Sequence, residues 1–304
     1  MSKSKLIKMK LQTPVEIRAG RVEISPSDRI MVLGSCFADN IGQRMRNIGM
    51  DVFVNPFGTL YNPASVSEAV ERLSSGRPFD TSECRMMGSG AGLVCSFSHH
   101  TSFARRTETE FLAHANAVLS EASEFFRACN RLIITLGTSW CYRHIEDDRI
   151  VSNCLKRDAK EFARIRLSVG DSVSLLENIA AHCCPDSLPD GAPGKSIIFT
   201  VSPIRHLRDG AHENQLSKAA LLLAVDGICR RHVSCDYFPA FEIVMDELRD
   251  YRFYAEDMLH PSAQTIEYIW ERFCDAAVPE KDRPAIREME KRYRQSCHRP
   301  NLVF

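Results

Sequence analysis

The sequence predicts an α/β fold in which helices pack on a mainly parallel sheet, with a small hairpin insertion and a C-terminal helix. Three observations predict it. Short β-branched apolar runs alternate with long amphipathic segments along the chain. No repeat, low-complexity stretch or linker divides the 304 residues, a length that one large α/β domain fills. The composition, 44% hydrophobic and 26% charged, is that of a chain able to bury a full core. We assign 1–28 to an N-terminal extension, 29–279 to the α/β domain, and 280–304 to a basic helix and tail.

The elements follow in order. "RIMVLG" (29–34) reads as a buried strand, and "ADNIGQRMRNIG" (38–49) as a helix that closes on Gly49. "MDVFVNP" (50–56) is a strand stopped by Pro56, and "PASVSEAVERLSS" (63–75) a helix with Pro63 in its first turn. Residues 76–106 are irregular and rich in Gly, Ser, His and Cys, so they are expected to fold against a site and wall it. A strong helix over 107–129 leads to the strand "RLIITLGT" (131–138). "WCYRHIEDDRIVSN" (140–153) alternates about Glu146-Asp147-Asp148 as a hairpin does. Then come a helix (172–183), a strand (196–203), a helix (214–232), a segment opening as a strand (233–244) and a helix (262–278). In the tail helix (283–299), Ile286, Met289 and Tyr293 share one face, as in a peripheral helix docked by its apolar stripe, with a partner-binding face as the alternative.

Charge and targeting narrow the function. With 39 basic and 39 acidic side chains the formal net charge is zero, which argues against nucleic acid or an anionic membrane as main partner. No apolar run approaches the roughly 20 residues that cross a bilayer. The opening "MSKSKLIKMKLQTPVEI" is basic but lacks a signal-peptide core. Twelve scattered cysteines form no CxxC pair. The expectation is a cytoplasmic protein with reduced thiols, and neither a metal nor an organic cofactor.

Chemistry enters at "GSCFA" (34–38), where two nucleophile types, Ser35 and Cys36, stand side by side where the first strand meets a helix. That junction projects a side chain above the sheet beside unpaired N–H groups. Ser35 could equally be only the helix cap. Near the other end, "AEDMLHPS" sets Asp257 three residues before His260, a spacing that lets the carboxylate orient the imidazole as a general base.

A first-strand nucleophile with a late Asp-x-x-His resembles the SGNH/GDSL hydrolases. More closely, "GSCFA", "NPFGTLYNP" (55–63), "LGTSW" (136–140), "TVSPIRH" (200–206), "SKAAL" (217–221) and "YFPAFEIVMDELRDYRFYAEDMLHPS" (237–262) resemble the GSCFA-domain family. The resemblance implies a three-layer α/β/α fold with a five-stranded, largely parallel sheet of the SGNH-hydrolase and flavodoxin-like type. It maps Ser35 to the nucleophile, His260 to the base and Asp257 to its orienter. It implies an oxyanion hole from the N–H groups of Ser35 and Gly58. A third donor would come from Thr138, Ser139 or Asn62, because "GTSW" stands where a Gly-x-Asn-Asp pattern is expected. Family members tend to carry His in place of Leu155, after Asn153 and Cys154.

Arg205 and His206 follow the fourth strand, at the edge where open α/β sheets bind ligands. They are expected to contact substrate, with an Arg205–Asp209 ion pair as the alternative. His99 and His100 are expected in a wall or lid over the site, or else in a surface loop. Adjacent imidazoles in an extended chain diverge, so they do not share a metal.

The expected function is a serine hydrolase that cleaves an ester, an acylated saccharide among the candidate substrates, through an acyl-enzyme on Ser35. Two alternatives stand beside it. One is a thiol enzyme using Cys36, since unpaired N–H groups at a helix start lower a thiol pKa. The other is a non-catalytic ligand-binding module on the same fold.

Overall fold

The structure, a computed structural model, describes residues 13–17, 20–88, 90, 92–184 and 194–297. The first 12 residues of the extension and residues 298–299 of the expected tail helix lie outside the described residues. Five strands form one parallel sheet: β1 (Arg29–Gly34), β2 (Asp51–Val54), β5 (Arg131–Leu136), β9 (Ser196–Val201) and β10 (Cys235–Tyr237), in spatial order β2-β1-β5-β9-β10. Val32 pairs with Val54 on one side and Ile133 on the other.

Because side chains alternate along a strand, each central strand feeds two cores. Met31, Leu33, Leu132, Ile134, Ile197 and Phe199 enter one apolar cluster. Ile30, Val32, Ile133 and Ile198 enter the other. The first is covered by α2 (Pro63–Ser75), α3 (Glu108–Ala128), α4 (Val169–Cys183) and α5 (Ala211–Arg231). The second is covered by α1 (Cys36–Asn47), α6 (Ala240–Glu242) with the π-helical turn Ile243–Leu248 that continues it, α7 (Ala263–Ala277) and α8 (Arg283–Cys297). The result is three layers, helices on both faces of a five-stranded parallel sheet. Ile286 of α8 is buried in the second core with Met289 and Tyr293 packed beside it, so the tail helix docks by its apolar stripe.

Four differences from the sequence expectations matter for the site. The first helix begins at Cys36, not Ala38. The hairpin β6 (Trp140–His144) and β7 (Arg149–Val151) gains a third antiparallel strand, β8 (Phe162–Arg166), whose arginines masked its alternation. The segment 233–244 is a strand only over Cys235–Tyr237 and then turns helical. Residues 76–106 hold a two-stranded ribbon, β3 (Arg85–Met86) and β4 (Val94–Cys95), and pack on the first core.

Candidate active site

The strand order reverses between β1 and β5, the switch point where open parallel sheets bind ligands at the carboxyl ends of their strands. The β1–α1 junction is held there by close backbone packing. Gly34 has φ +134°, and a Cβ on it would lie 2.1 Å from the Thr135 carbonyl oxygen, so no other residue fits. Its N–H donates to Asn55 Oδ1 (2.8 Å), and Asn55 Nδ2 donates to Asp39 Oδ1 (2.6 Å).

Ser35 continues the sheet: its N–H donates to the Thr135 carbonyl (3.1 Å). The residue is fully buried, and its Oγ has no hydrogen-bond partner among the described residues. It is the N-cap of α1 by position but makes no side-chain capping bond. Cys36, the first helical residue, takes the other direction. Its Sγ is 3.6 Å from His260 Nε2. The structure therefore brings Cys36, not Ser35, to the histidine. The physical reason is the helix start: Ser35 is still extended (φ −69°, ψ 174°) while Cys36 is the first helical residue, so the two side chains leave the turn in different directions.

The histidine is well oriented. Asp257 Oδ1 accepts the N–H groups of Leu259 (2.9 Å) and His260 (3.0 Å), and Oδ2 lies 2.5 Å from His260 Nδ1. Those two N–H groups, then the imidazole, hold the Asp257 carboxyl down to about 2, so it is ionised at neutral pH and has no proton to give. Nδ1 is then the donor, and in the neutral ring Nε2 is the nitrogen that can accept from the thiol. Arg205 docks this turn: its N–H donates to Leu259 O (3.1 Å) and its Nη1 to Met258 O (3.2 Å). The Cys36 thiol is pushed above its usual range by burial and by Asp39, while the N–H groups of Cys36 and Phe37 and the Lys218 ammonium pull it down. A thiol so placed needs a base to ionise it.

Cys36 and His260 open into a cavity of about 630 Å³ lined also by Asn62, Thr138, Trp140, Tyr142, Arg164, Arg205 and His206, a volume in the range of small-molecule sites. Residues 29–273, from the first residue of β1 into α7, match the GSCFA family. The chain belongs to the GSCFA family. No curated protein and no solved structure matches it.

Several GSCFA residues singled out by sequence stand elsewhere. The Gly58 N–H is donated to Asn55 O (2.8 Å), as the Ser35 N–H is to Thr135, so neither faces the cavity as a free oxyanion donor. Gly58 instead lets the chain pass His100, whose Cβ would lie 2.2 Å from a Cβ at 58. Thr138 lines the cavity, but its N–H goes to Tyr61 O (2.9 Å) and its Oγ1 to Ser217 Oγ and the Trp140 N–H, both at 3.0 Å. Ser139 is fully buried and its N–H goes to Ser217 Oγ (2.8 Å). Asn62 caps α2, its Oδ1 accepting the Ser65 N–H (2.9 Å), and it lines the cavity.

The histidine pair is no lid. His99 is buried among Phe57, Phe79, Phe103 and Phe111, and His100 caps the short helix Thr101–Phe103. Neither lines the cavity, whose outer wall is the β6–β8 sheet and not residues 76–106. Leu155 is fully buried in the first core, and Asn153 and Cys154 face the cavity. Asp209 takes both ends of Arg164, at 3.1 and 2.5 Å, so Arg205 is not its partner. His206 lines the cavity with Nε2 unpartnered among the described residues, and burial then Lys218 hold it down to about 3, a neutral imidazole. Among the described residues no group of three or more His, Cys, Asp or Glu is placed to hold a metal, and no helix is long and apolar enough to cross a membrane.

Sequence reasoning missed Lys218, which lies under the site fully buried. The signal was present in α5: Asn214, Ser217 and Lys218 stand on the stripe continued by Leu221, Val225 and Ile228, so polar groups occupy the inward face.

Proposed function

We propose that this GSCFA protein is a cysteine-dependent acyl-transfer enzyme that takes the acyl group of an ester onto Cys36. The observation that carries the reading is Cys36 Sγ at 3.6 Å from His260 Nε2, with the opposite ring nitrogen on Asp257. His260 removes the thiol proton as sulfur attacks the ester carbonyl, forming a C–S bond. The Cys36 N–H, which has no intrahelical acceptor in the first turn, and Asn62 Nδ2 are the donors proposed for the oxyanion. The intermediate collapses by breaking the C–O bond, and the imidazolium gives its proton to the leaving alcohol. Water, or a second alcohol, then gives its proton to His260 as it attacks the thioester, and the departing thiolate takes that proton back.

The cavity lining suits a polar alcohol moiety, an acylated saccharide being one. Trp140 and Tyr142 offer aromatic surface, and Arg205 and His206 polar contacts. Twelve free thiols and a thiol nucleophile suit a reducing compartment, and we propose the cytoplasm. A second reading, a ligand-binding module, is favoured by the engagement of the Ser35, Gly58, Thr138 and Ser139 N–H groups in the protein's own bonds.

Labelling separates the readings. An iodoacetamide probe, mapped by mass spectrometry, should modify Cys36 ahead of the buried cysteines. Cys36→Ala should lower ester turnover by about 10³-fold or more, while Ser35→Ala stays within about threefold of wild type. Labelling of Ser35 by a fluorophosphonate probe, or full turnover by Cys36→Ala, would overturn the thiol mechanism. Saturable ligand binding without turnover would favour the module.

A further inference from the structure

The cavity that holds Cys36 and His260 is lined by four arginines, Arg157, Arg164, Arg205 and Arg208, and by one carboxylate, Asp209. Two of the four are neutralised by the protein itself. Arg157 Nε donates to Glu161 Oε2 (2.7 Å), and Arg164 donates through Nε and Nη2 to the two oxygens of Asp209 (3.1 and 2.5 Å). Among the described residues neither Arg205 nor Arg208 has a carboxylate within ion-pair distance. Arg205 is anchored on the Met258 carbonyl, with its guanidinium 5.6 and 5.7 Å from the Tyr251 and Tyr254 rings. The Arg208 side chain makes no hydrogen bond among the described residues.

A lone exposed arginine needs no explanation, but the seating of Arg208 does. β6 and β8 pair so that Tyr142 stands opposite Arg164, whose guanidinium lies 4.4 Å from the Tyr142 ring. Arg208 arrives from the loop after β9 and lies 5.5 Å from the same ring. A guanidinium held on an aromatic face keeps its N–H edge for a ligand. Asp209 does not serve Arg208, its chain neighbour, because both its oxygens hold Arg164. A neutral sugar calls for acceptors as well as donors around its hydroxyls, and the one carboxylate of this lining is engaged. A concave wall with two uncompensated guanidinium groups instead attracts an anion and can grip it through paired N–H···O bonds.

We propose that this cavity takes an anionic substrate: the guanidinium of Arg208 binds a carboxylate or phosphate monoester on the alcohol portion, and Arg205 supplies the second positive charge. The inference deepens the acyl-transfer reading and rests on it for the carrier of the anion, the acylated alcohol whose ester meets Cys36. Carboxylate and phosphate share the chemistry that matters here. Each offers two oxygens on one atom, spaced for two guanidinium N–H groups, and each is charged at neutral pH.

The test is equilibrium binding of D-glucuronate, glucose-6-phosphate and glucose to the full chain at one ionic strength, measured by calorimetry. Trp140 fluorescence gives the location, because Trp140 lines the cavity while the other of the two tryptophans, Trp270, is buried in the second core. At least one anion should bind saturably and change that fluorescence, with glucose about tenfold weaker or silent. Glucuronate alone would assign a carboxylate, and glucose-6-phosphate alone a phosphate. Arg208→Gln, at an exposed position that the fold does not depend on, should weaken the anion about tenfold or more. Arg230→Gln, which removes a guanidinium roughly 30 Å away along α5, should not. Equal affinity for glucose, no binding of either anion, binding that leaves Trp140 unmoved, or an Arg208→Gln protein that binds as wild type would each overturn the proposal. Binding needs no turnover. Ester turnover without anion binding would defeat this inference alone, and anion binding without turnover would defeat the proposed activity alone.

Discussion

Two segments of the molecule carry the same local device and put it to opposite ends. In "SFSH" Ser96 Oγ lies 2.6 Å from His99 Nδ1, and in "DMLH" Asp257 Oδ2 lies 2.5 Å from His260 Nδ1, each pair three residues apart. His99 is fully buried, its ring 4.5 Å from that of Phe79 and 4.6 Å from that of Phe103, and its Nε2 meets no partner among the described residues. His260 has 46% of its side chain exposed and turns Nε2 to Cys36. A histidine with an oriented Nδ1 is therefore not yet a base. A serine hydroxyl can fix a ring but cannot offset an imidazolium, whereas a carboxylate does both. The far nitrogen must also face a group with a proton to give.

The largest effect expected from this contrast is on turnover. His260→Ala should lower ester hydrolysis by about 10²–10⁴-fold, the range of a positioned general base. His99→Phe should leave it within about twofold of wild type, because residue 99 is remote from the transition state. A comparable loss in both variants would break the distinction. Next in size is acid stability. Burial, then Arg72 and His114, hold His99 to about 3 in the folded chain, while an unfolded histidine titrates near 6.5. The unfolded chain takes up the proton first, so this contribution is complete above about pH 6.5 and is lost as pH falls toward 3, on the order of 4 kcal/mol. Urea unfolding at pH 7 and pH 4 should show a smaller loss on acidification in His99→Phe than in wild type. Equal losses would mean that the buried imidazole does not couple to folding.

The sequence made the layers legible because alternation along the strands and the apolar stripes of the helices are written in apolar residues. Ile30 and Val32 against Met31 and Leu33 already divide the two cores. The Asp257–His260 turn was legible from spacing alone, since both hydrogen-bonding partners are local. The choice between Ser35 and Cys36 was not. It depends on where α1 begins, and boundaries shift by a residue or two under tertiary packing that no local pattern records. Here the Thr135 carbonyl takes the Ser35 N–H and extends the strand by one contact before the helix starts. His99 misled for a related reason. Its surroundings, Phe57, Phe79 and Phe111, come from three distant stretches of chain, and only the folded protein shows that a polar-looking "SFSHH" encloses a core.

The smallest effect completes the contrast. Ser96→Ala removes the hydroxyl that meets His99 Nδ1 and that also accepts the Ser98 N–H at 3.2 Å. A buried imidazole nitrogen left without its partner costs about 1–3 kcal/mol, and the lower end applies here because the Ser98 N–H sits on a half-buried turn. The loss should appear as a lower urea midpoint at unchanged slope, since the fold and the surface exposed on unfolding are the same. Turnover should not move, because neither Ser96 nor His99 lines the cavity. If Ser96→Ala slowed hydrolysis without lowering stability, His99 would be coupled to the site through the Phe57–Gly58 passage, where His100 packs on Gly58 and its N–H meets the Phe57 carbonyl. The two histidines would then be parts of one apparatus rather than two uses of one motif.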